Sequence, residues 1–517
     1  MANIRHKIEN GFEVFAEFIF DHRIKSIIGM ALIIGLLISQ IPGITIDTST
    51  EGFFHEKDPE LLTYNQFRDQ FGRDEGIIIA LKPKRIFDLE FLDKLRQIHA
   101  EIEAAVPYID DLTSLINARN TRGEGDQLIV EDLMENWPQT PADLHIIEQR
   151  AKSNPMYKNL LLSEAGDVTT IIIRTQSYSS IGQQEDVMAG FDDDFAEMPD
   201  DISSETNEAP IYLTEEENSQ VVEAVQKIVR KYRSENLQVQ LAGSPVVTHF
   251  LKRSLIKDIR KFMVLALLGV AVLLYLMFRR LSGVIIPLLI VILSLLSTLG
   301  IMSFTGKAIK LPTQILPSFI LAVGVGTSVH ILAIFFQQLR KGHNKKEAIK
   351  YALGHSGLAV VMTNVTTAAG LMSFATADLA PVADLGIFAG IGVLLAFIYT
   401  IVLLPALIAI TPLSKKKTQQ LSNDSKFMDR FLEAVGRFST THPKKILLVS
   451  AIVITASLIA MTQLHFSHHP LHWFPESNEI RIDSEGIDKD LRGSITMEVV
   501  FDTKMENGLY DPNLLKA

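Results

Sequence analysis

The chain contains no cysteine. Disulfides, thiolate nucleophiles, iron–sulfur clusters and cysteine-ligated zinc are therefore excluded. Charge is sparse, with 21% Asp, Glu, Lys and Arg against 47% hydrophobic residues in 517, and the mean hydropathy is +0.20. That is too little charge to cover a soluble protein of this length, or to keep a chain disordered. The net charge of −11 has the wrong sign for a basic-patch nucleic-acid binder. No G-x-x-x-x-G-K-[ST] sequence occurs, so nothing supports direct drive by ATP. No cofactor fingerprint and no nucleophile–base pattern of a hydrolase is found, which makes an enzyme the weakest reading.

What is abundant is uninterrupted apolar sequence. Seven runs lack any Asp, Glu, Lys or Arg: 26–46, 262–278, 281–306, 311–339, 356–377, 385–414 and 446–464. Each is about the length of a bilayer-spanning helix. The first is too long for the apolar core of a cleaved signal peptide. Arg23 and Lys25, Arg279 and Arg280, Lys341 to Lys350, and Lys415 to Lys445 all fall in segments on one side of these spans. The positive-inside rule makes that side cytoplasmic. The 212 residues 47–258 then lie outside, with 40 acidic and 21 basic residues.

The expected organisation is an amphipathic N-terminus (1–25), a first span (26–46), an outer α+β domain (47–258), a five-span bundle (259–414), a linker (415–445), a seventh span (446–464) and a polar segment (465–517). Within the outer domain, 76–81 (GIIIAL) and 168–174 (VTTIIIR) read as strands. Leu89, Leu92, Leu95, Ile98 and Ile102 have helical spacing, 216–233 reads as a helix, and 237–241 as a strand. Strand–helix–strand order occurring twice predicts two small lobes. The acidic stretch 192–208 reads as an exposed loop, without the spaced ligands of a calcium loop. Residues 345–353 read as an amphipathic helix lying along the membrane surface. His465, His468, His469 and His472 cluster, but Pro470 argues against a helical metal site, and none is assigned.

The chain also repeats itself. A shift of 420 residues superposes Glu13 on Glu433, Phe18 on Phe438, His22 on His442, Lys25 on Lys445, Phe54 on Phe474 and Glu56 on Glu476. The seventh span thus opens a second copy of the first span and outer domain. That copy stops inside its first helix, which predicts a protein about twice as long, with twelve spans, and a segment 465–517 that does not fold independently.

Short motifs narrow the reading. They are Ala242–Pro245 (AGSP), Gly324–His330 (GVGTSVH) in the fourth span, Thr363–Gly370 (TNVTTAAG) in the fifth, and Asp384–Phe388 (DLGIF) and Leu404–Leu407 (LPAL) around the sixth. With the order of spans, these resemble the resistance–nodulation–division (RND) superfamily, in its MMPL-type branch related to sterol-sensing proteins. The resemblance implies an α-helical membrane bundle carrying an extracytoplasmic α+β porter domain. It implies a multi-pass inner-membrane exporter of lipid-like substrates driven by protons, with its large domain in the periplasm. Homo-oligomers, periplasmic partner proteins and contact with membrane lipids are implied with it, and no nucleic acid. The branch usually carries an Asp in the glycine-led motif of the fourth span, as proton carrier. Thr327 and Ser328 stand at the candidate positions here. That departure favours a second reading, a non-transporting sensor or accessory subunit of the sterol-sensing or protein-export type.

The coupling candidates are Thr327, Ser328, His330, Thr363, Asn364 and Thr367. His330 is the lone titratable residue of its run, and ionisable groups at membrane depth are costly and usually functional. Thr327, three residues earlier, shares its helical face, and the Thr363–Thr367 cluster is expected to face it. Gly324 and Gly326 are expected to serve helix packing.

Overall fold

The computed structural model describes residues 2–73, 75–124, 126–179, 212–412, 426–465, 469–493, 499–501 and 503. The acidic stretch 192–208 and His468 lie outside them. Two compact units are present, one of residues 1–55 with 252–468 and one of residues 56–251 with 469–517.

The first unit is helical. It holds α1 (Ala2–Asp21), α2 (Arg23–Ile38), most of α7 (Ser244–Phe278), α8 (Ser282–Phe304), α9 (Leu316–Arg340), α10 (Lys345–Met372), α11 (Ala380–Ile410), α12 (Lys426–Thr441) and α13 (Pro443–Met461). Seven helical segments are long and apolar enough to cross a membrane, and they coincide with the seven charge-free runs. Several helices outrun those runs. Charge marks where hydrocarbon ends, whereas a helix continues until a cap or a turn stops it. Thus α10 starts at Lys345, where Asn344 caps it and Glu347 closes a capping box. The predicted surface helix 345–353 is in fact the first turns of this span. Ile349, Ala352 and Leu353 are fully buried, because α1 covers them. A Cβ on Gly357 would lie 2.5 Å from the Phe12 ring and one on Gly354 2.4 Å from Glu13, so only glycine admits α1 this close. Lys346 pairs with Glu17 and Asp21 at 3.0 and 2.9 Å, and Lys350 with Glu17 at 3.2 Å.

The second unit is built on one antiparallel sheet of order β2-β5-β1-β6, with β1 Gly76–Pro83, β2 Ile109–Thr113, β5 Thr169–Thr175 and β6 Leu237–Ala242. A separate hairpin pairs β3 (Arg119–Glu124) with β4 (Gln127–Asp132). The expected two lobes are therefore corrected to one sheet. The units β1–α4–β2 and β5–α6–β6, with α4 Leu89–Ala105 and α6 Glu215–Tyr232, interleave so that β1 lies between β5 and β6. Neither pair of strands could bury a core alone, and the interleaved sheet gives α4 and α6 a common floor. Ile77, Ile79 and Leu81 point into that core with Leu92, Leu95, Ile98, Val221 and Val225, all fully buried or nearly so. The opposite face, with Ala80, Val168 and Ala242, is covered by α14 (Glu479–Leu491) through Ile487 and Leu491.

Helix α14 occupies the position in the second repeat that α3 (Pro59–Phe71) holds in the first, 420 residues earlier. It is well anchored. Arg233 pairs with Glu479 and, at 3.1 Å, with Asp483, whose carboxylate also accepts from the Leu241 amide at 3.3 Å. Lys82 reaches Asp490 at 3.1 Å. Pro470 starts a 3-10 turn, Pro470–Trp473, in which the His469 and His472 rings stack 4.6 Å apart.

Candidate functional site

Within the helical unit, α8, α9, α10 and α11 pack together, and their polar side chains lie where they meet. In an apolar surrounding each hydroxyl or amide needs a partner. Thr327 on α9 donates to Asn364 Oδ1 on α10 at 3.1 Å, and the Asn364 amide donates to its own helix at Val360 O, 2.8 Å. Ser328 shares a 3.0 Å hydrogen bond with Thr400 on α11, and Tyr399 donates to Ser297 on α8 at 2.8 Å. All six of these side chains are buried. The cluster links four helices through neutral hydrogen bonds.

The sequence candidates divide on this geometry. Thr327, Ser328 and Asn364 belong to the cluster. His330 does not, being exposed on α9 like Gly326 one turn before it. Thr363 is exposed and Thr367 half-buried on α10, where Thr367 donates to the Thr363 carbonyl at 2.7 Å. The expected meeting of His330 with the Thr363–Thr367 cluster is thus replaced by a Thr327–Asn364 pair. Residues three apart on a helix differ by about 60° in direction, enough to carry Thr327 inward and His330 outward. The two glycines separate in the same way. A Cβ on Gly324 would meet Ala396 and Val291 at 3.1 and 3.2 Å, while one on Gly326 would meet nothing within 4 Å. Gly324 therefore sits in the α8–α9–α11 contact, and Gly326 on an open face.

One acid escaped the reading of the sequence. Asp384 lies one residue before the sixth charge-free run, and α11 begins at Ala380, so this carboxyl is inside the candidate span. It is buried, and its Oδ2 meets no hydrogen-bond donor among the described residues. Thr400 is sixteen residues further along α11, about 24 Å at 1.5 Å per residue. Asp384 accordingly sits near one end of the bundle, away from the hydroxyl cluster. The signal was present in DLGIF, but a charge-free window excludes by construction any acid at its edge.

Similarity to known proteins bears on this bundle directly. Residues 204–446, which include α6 to α11, match the MMPL family. A membrane protein of Methanocaldococcus jannaschii is 24% identical over 394 residues, 74% of this chain and 90% of that protein. A hopanoid transporter of Burkholderia multivorans is 30% identical over 158 residues, 30% of this chain and 17% of that one. A Mycobacterium leprae protein named as a trehalose monomycolate exporter is 29% identical over 175 residues, 33% of this chain and 18% of that one. The chain thus spans most of the archaeal relative and under a fifth of these two bacterial ones. With its spans, its α+β unit and its glycine-led α9, the chain belongs to the MMPL family of RND-type membrane transporters.

Proposed function

We propose that this protein exports a lipid-like substrate from the inner membrane, using the proton gradient, with its α+β unit in the periplasm. The observation that carries the reading is the match of residues 204–446 to a family in which the relatives named above are a hopanoid transporter and a mycolate exporter. The direct experiment is lipid mass spectrometry on the protein purified in mild detergent, followed by reconstitution with the lipid found. Net movement of that lipid when a pH difference is imposed is the expected result. A co-purified lipid profile identical to the bulk membrane, with no gradient-dependent movement, would sink the proposal.

In this reading the groups of the hydroxyl cluster are positioning residues. Thr327 and Ser328 stand where the branch carries an acid, yet each is hydrogen-bonded to a neutral partner and holds no charge to carry. Asp384 is the buried carboxyl available for protonation in the described part of the bundle. The expected outcome is that Asp384→Asn flattens the pH dependence of export, while His330→Ala leaves it in place. The reverse pattern would move the coupling role to the histidine.

The neutral cluster also favours the second reading, a membrane sensor or accessory subunit that binds lipid without moving it. The two part in the same assay. A sensor retains its lipid selectively but shows no transport under any imposed gradient.

A further inference from the structure

Two of the lysines at the start of α10 have carboxylate partners: Lys346 and Lys350 are met by Glu17 and Asp21 of α1. Lys345, one residue earlier, turns the other way and donates to the Thr411 carbonyl at 2.6 Å, just past the end of α11. Arg23, at the start of α2, lies within electrostatic reach of it. On the other side Arg280, between α7 and α8, stands over the Phe336 ring at 5.4 Å, with Arg340 close enough to repel it. Burial and that repulsion hold the Arg280 guanidinium below its ordinary pKa. None of Arg23, Arg280, Arg340 and Lys345 has a carboxylate within 4 Å among the described residues.

Phe336 and Thr411, the two groups these cations touch, line the same crevice. It is a narrow space of about 180 Å³ among α8, α9 and α11, walled by Ile286, Leu332, Phe335 and Ile408. Four cations that repel one another pairwise thus ring an apolar slot at the basic end of the bundle. Such an arrangement is electrostatically unfavourable until an anion occupies it. A free inorganic anion would satisfy the charge but leave the apolar slot against water. A phospholipid satisfies both, since its phosphate and its first acyl carbons are joined in one molecule.

We propose that this crevice is a binding site for the phosphate headgroup of an anionic phospholipid in the leaflet on the basic side of the membrane, held by Arg280 and Lys345 with Arg340 and Arg23 around them. The site requires only that the bundle is embedded in a bilayer, and does not depend on which substrate the protein moves. Lipid held there would tie the ends of α2, α8, α9, α10 and α11 together.

The test uses the full chain in nanodiscs of phosphatidylcholine doped with phosphatidylglycerol, extracted into mild detergent and examined by native mass spectrometry. The unsubstituted protein should retain phosphatidylglycerol over phosphatidylcholine. At about 1 kcal/mol per basic residue near the headgroups, Arg280→Gln with Lys345→Gln should cut that preference by about tenfold or more. Arg280→Lys should keep it, which guards against mere misfolding of the double variant. Lys444→Gln with Lys445→Gln, equally basic but at the start of α13, should also keep it. Equal retention of the two lipids overturns the proposal, and so does an equal loss in the Lys444 and Lys445 variant, which would mean general surface attraction. Displacement of the lipid by excess inorganic phosphate would make the site one for free phosphate, and overturns it too.

Discussion

Thr327 and His330 show how much rests on a few degrees of helix rotation. Both lie in one seven-residue motif, yet one is buried in a hydrogen bond to Asn364 and the other is exposed. Hydrogen bonds between membrane helices contribute about 0.6 kcal/mol on average, and up to about 1.7. Thr327→Val, nearly the same volume without the hydroxyl, should therefore lower bundle stability by that amount and leave any pH profile unchanged. Unfolding measured by steric trapping in bicelles would check this. A shifted pH profile in that variant would show instead that the hydroxyl takes part in proton movement. Asp384→Asn should be neutral or stabilising on the same scale, because it removes a carboxylate whose Oδ2 has no donor.

Helix α14 sets the test at the scale of elements. Burial pushes the Asp483 carboxyl up to about 6, against the opposing pull of Arg233 and the Leu241 amide, with Glu479 adding to the rise. A carboxyl whose pKa is higher docked than undocked binds its proton more tightly when docked. Docking of α14 should therefore strengthen as pH falls through 6 toward the ordinary carboxylate value near 4, and weaken as pH rises through the same window. Hydrogen exchange of residues 479–491 at pH 5 and pH 7.5, corrected for intrinsic rates, reads this out. Slower exchange at pH 5 is expected, and faster exchange there would contradict the burial argument. Arg233→Ala should loosen the helix at pH 7.5 by about 1–3 kcal/mol, since Glu479 and Asp483 both lose their cation. At the other unit, Gly357→Leu should displace α1 from α10, because the new side chain must occupy the place of the Phe12 ring. Protease access to α1 measures that displacement.

At the scale of the whole molecule, the chain divides its cores between two units, and the second is assembled from segments more than 200 residues apart in sequence. Phe474 and Ile480 sit in the same core as β1, α4 and α6, while Ile487 and Leu491 close the opposite face of the sheet. Burial of side chains of this size contributes roughly 1.5–3 kcal/mol each. Ending the chain after residue 465 should thus lower the stability of the outer unit by several kcal/mol while the bundle, whose buried clusters include no residue beyond Ile408, keeps its own. Two transitions that separate in a denaturant titration of the shortened chain would show this. A single unshifted transition would mean that α14 adds nothing.

The sequence alone determined what hydropathy and charge dictate. Seven spans, a helical bundle with an α+β unit, and the family motifs were all legible, because a bilayer imposes length and polarity on each segment separately. The 420-residue repeat was legible for the same reason, residue matched against residue. Pairing was decided only in three dimensions. Strand order depends on which segments meet, so two strand–helix–strand patterns read as two lobes until β1 is seen between β5 and β6. Helix rotation depends on neighbours, so His330 read as part of a cluster that Asn364 alone completes with Thr327. Asp384 fell one residue outside a charge-free window, and only the start of α11 at Ala380 carried it into a span. Local composition sets which residues enter the membrane, and packing sets which of them face one another.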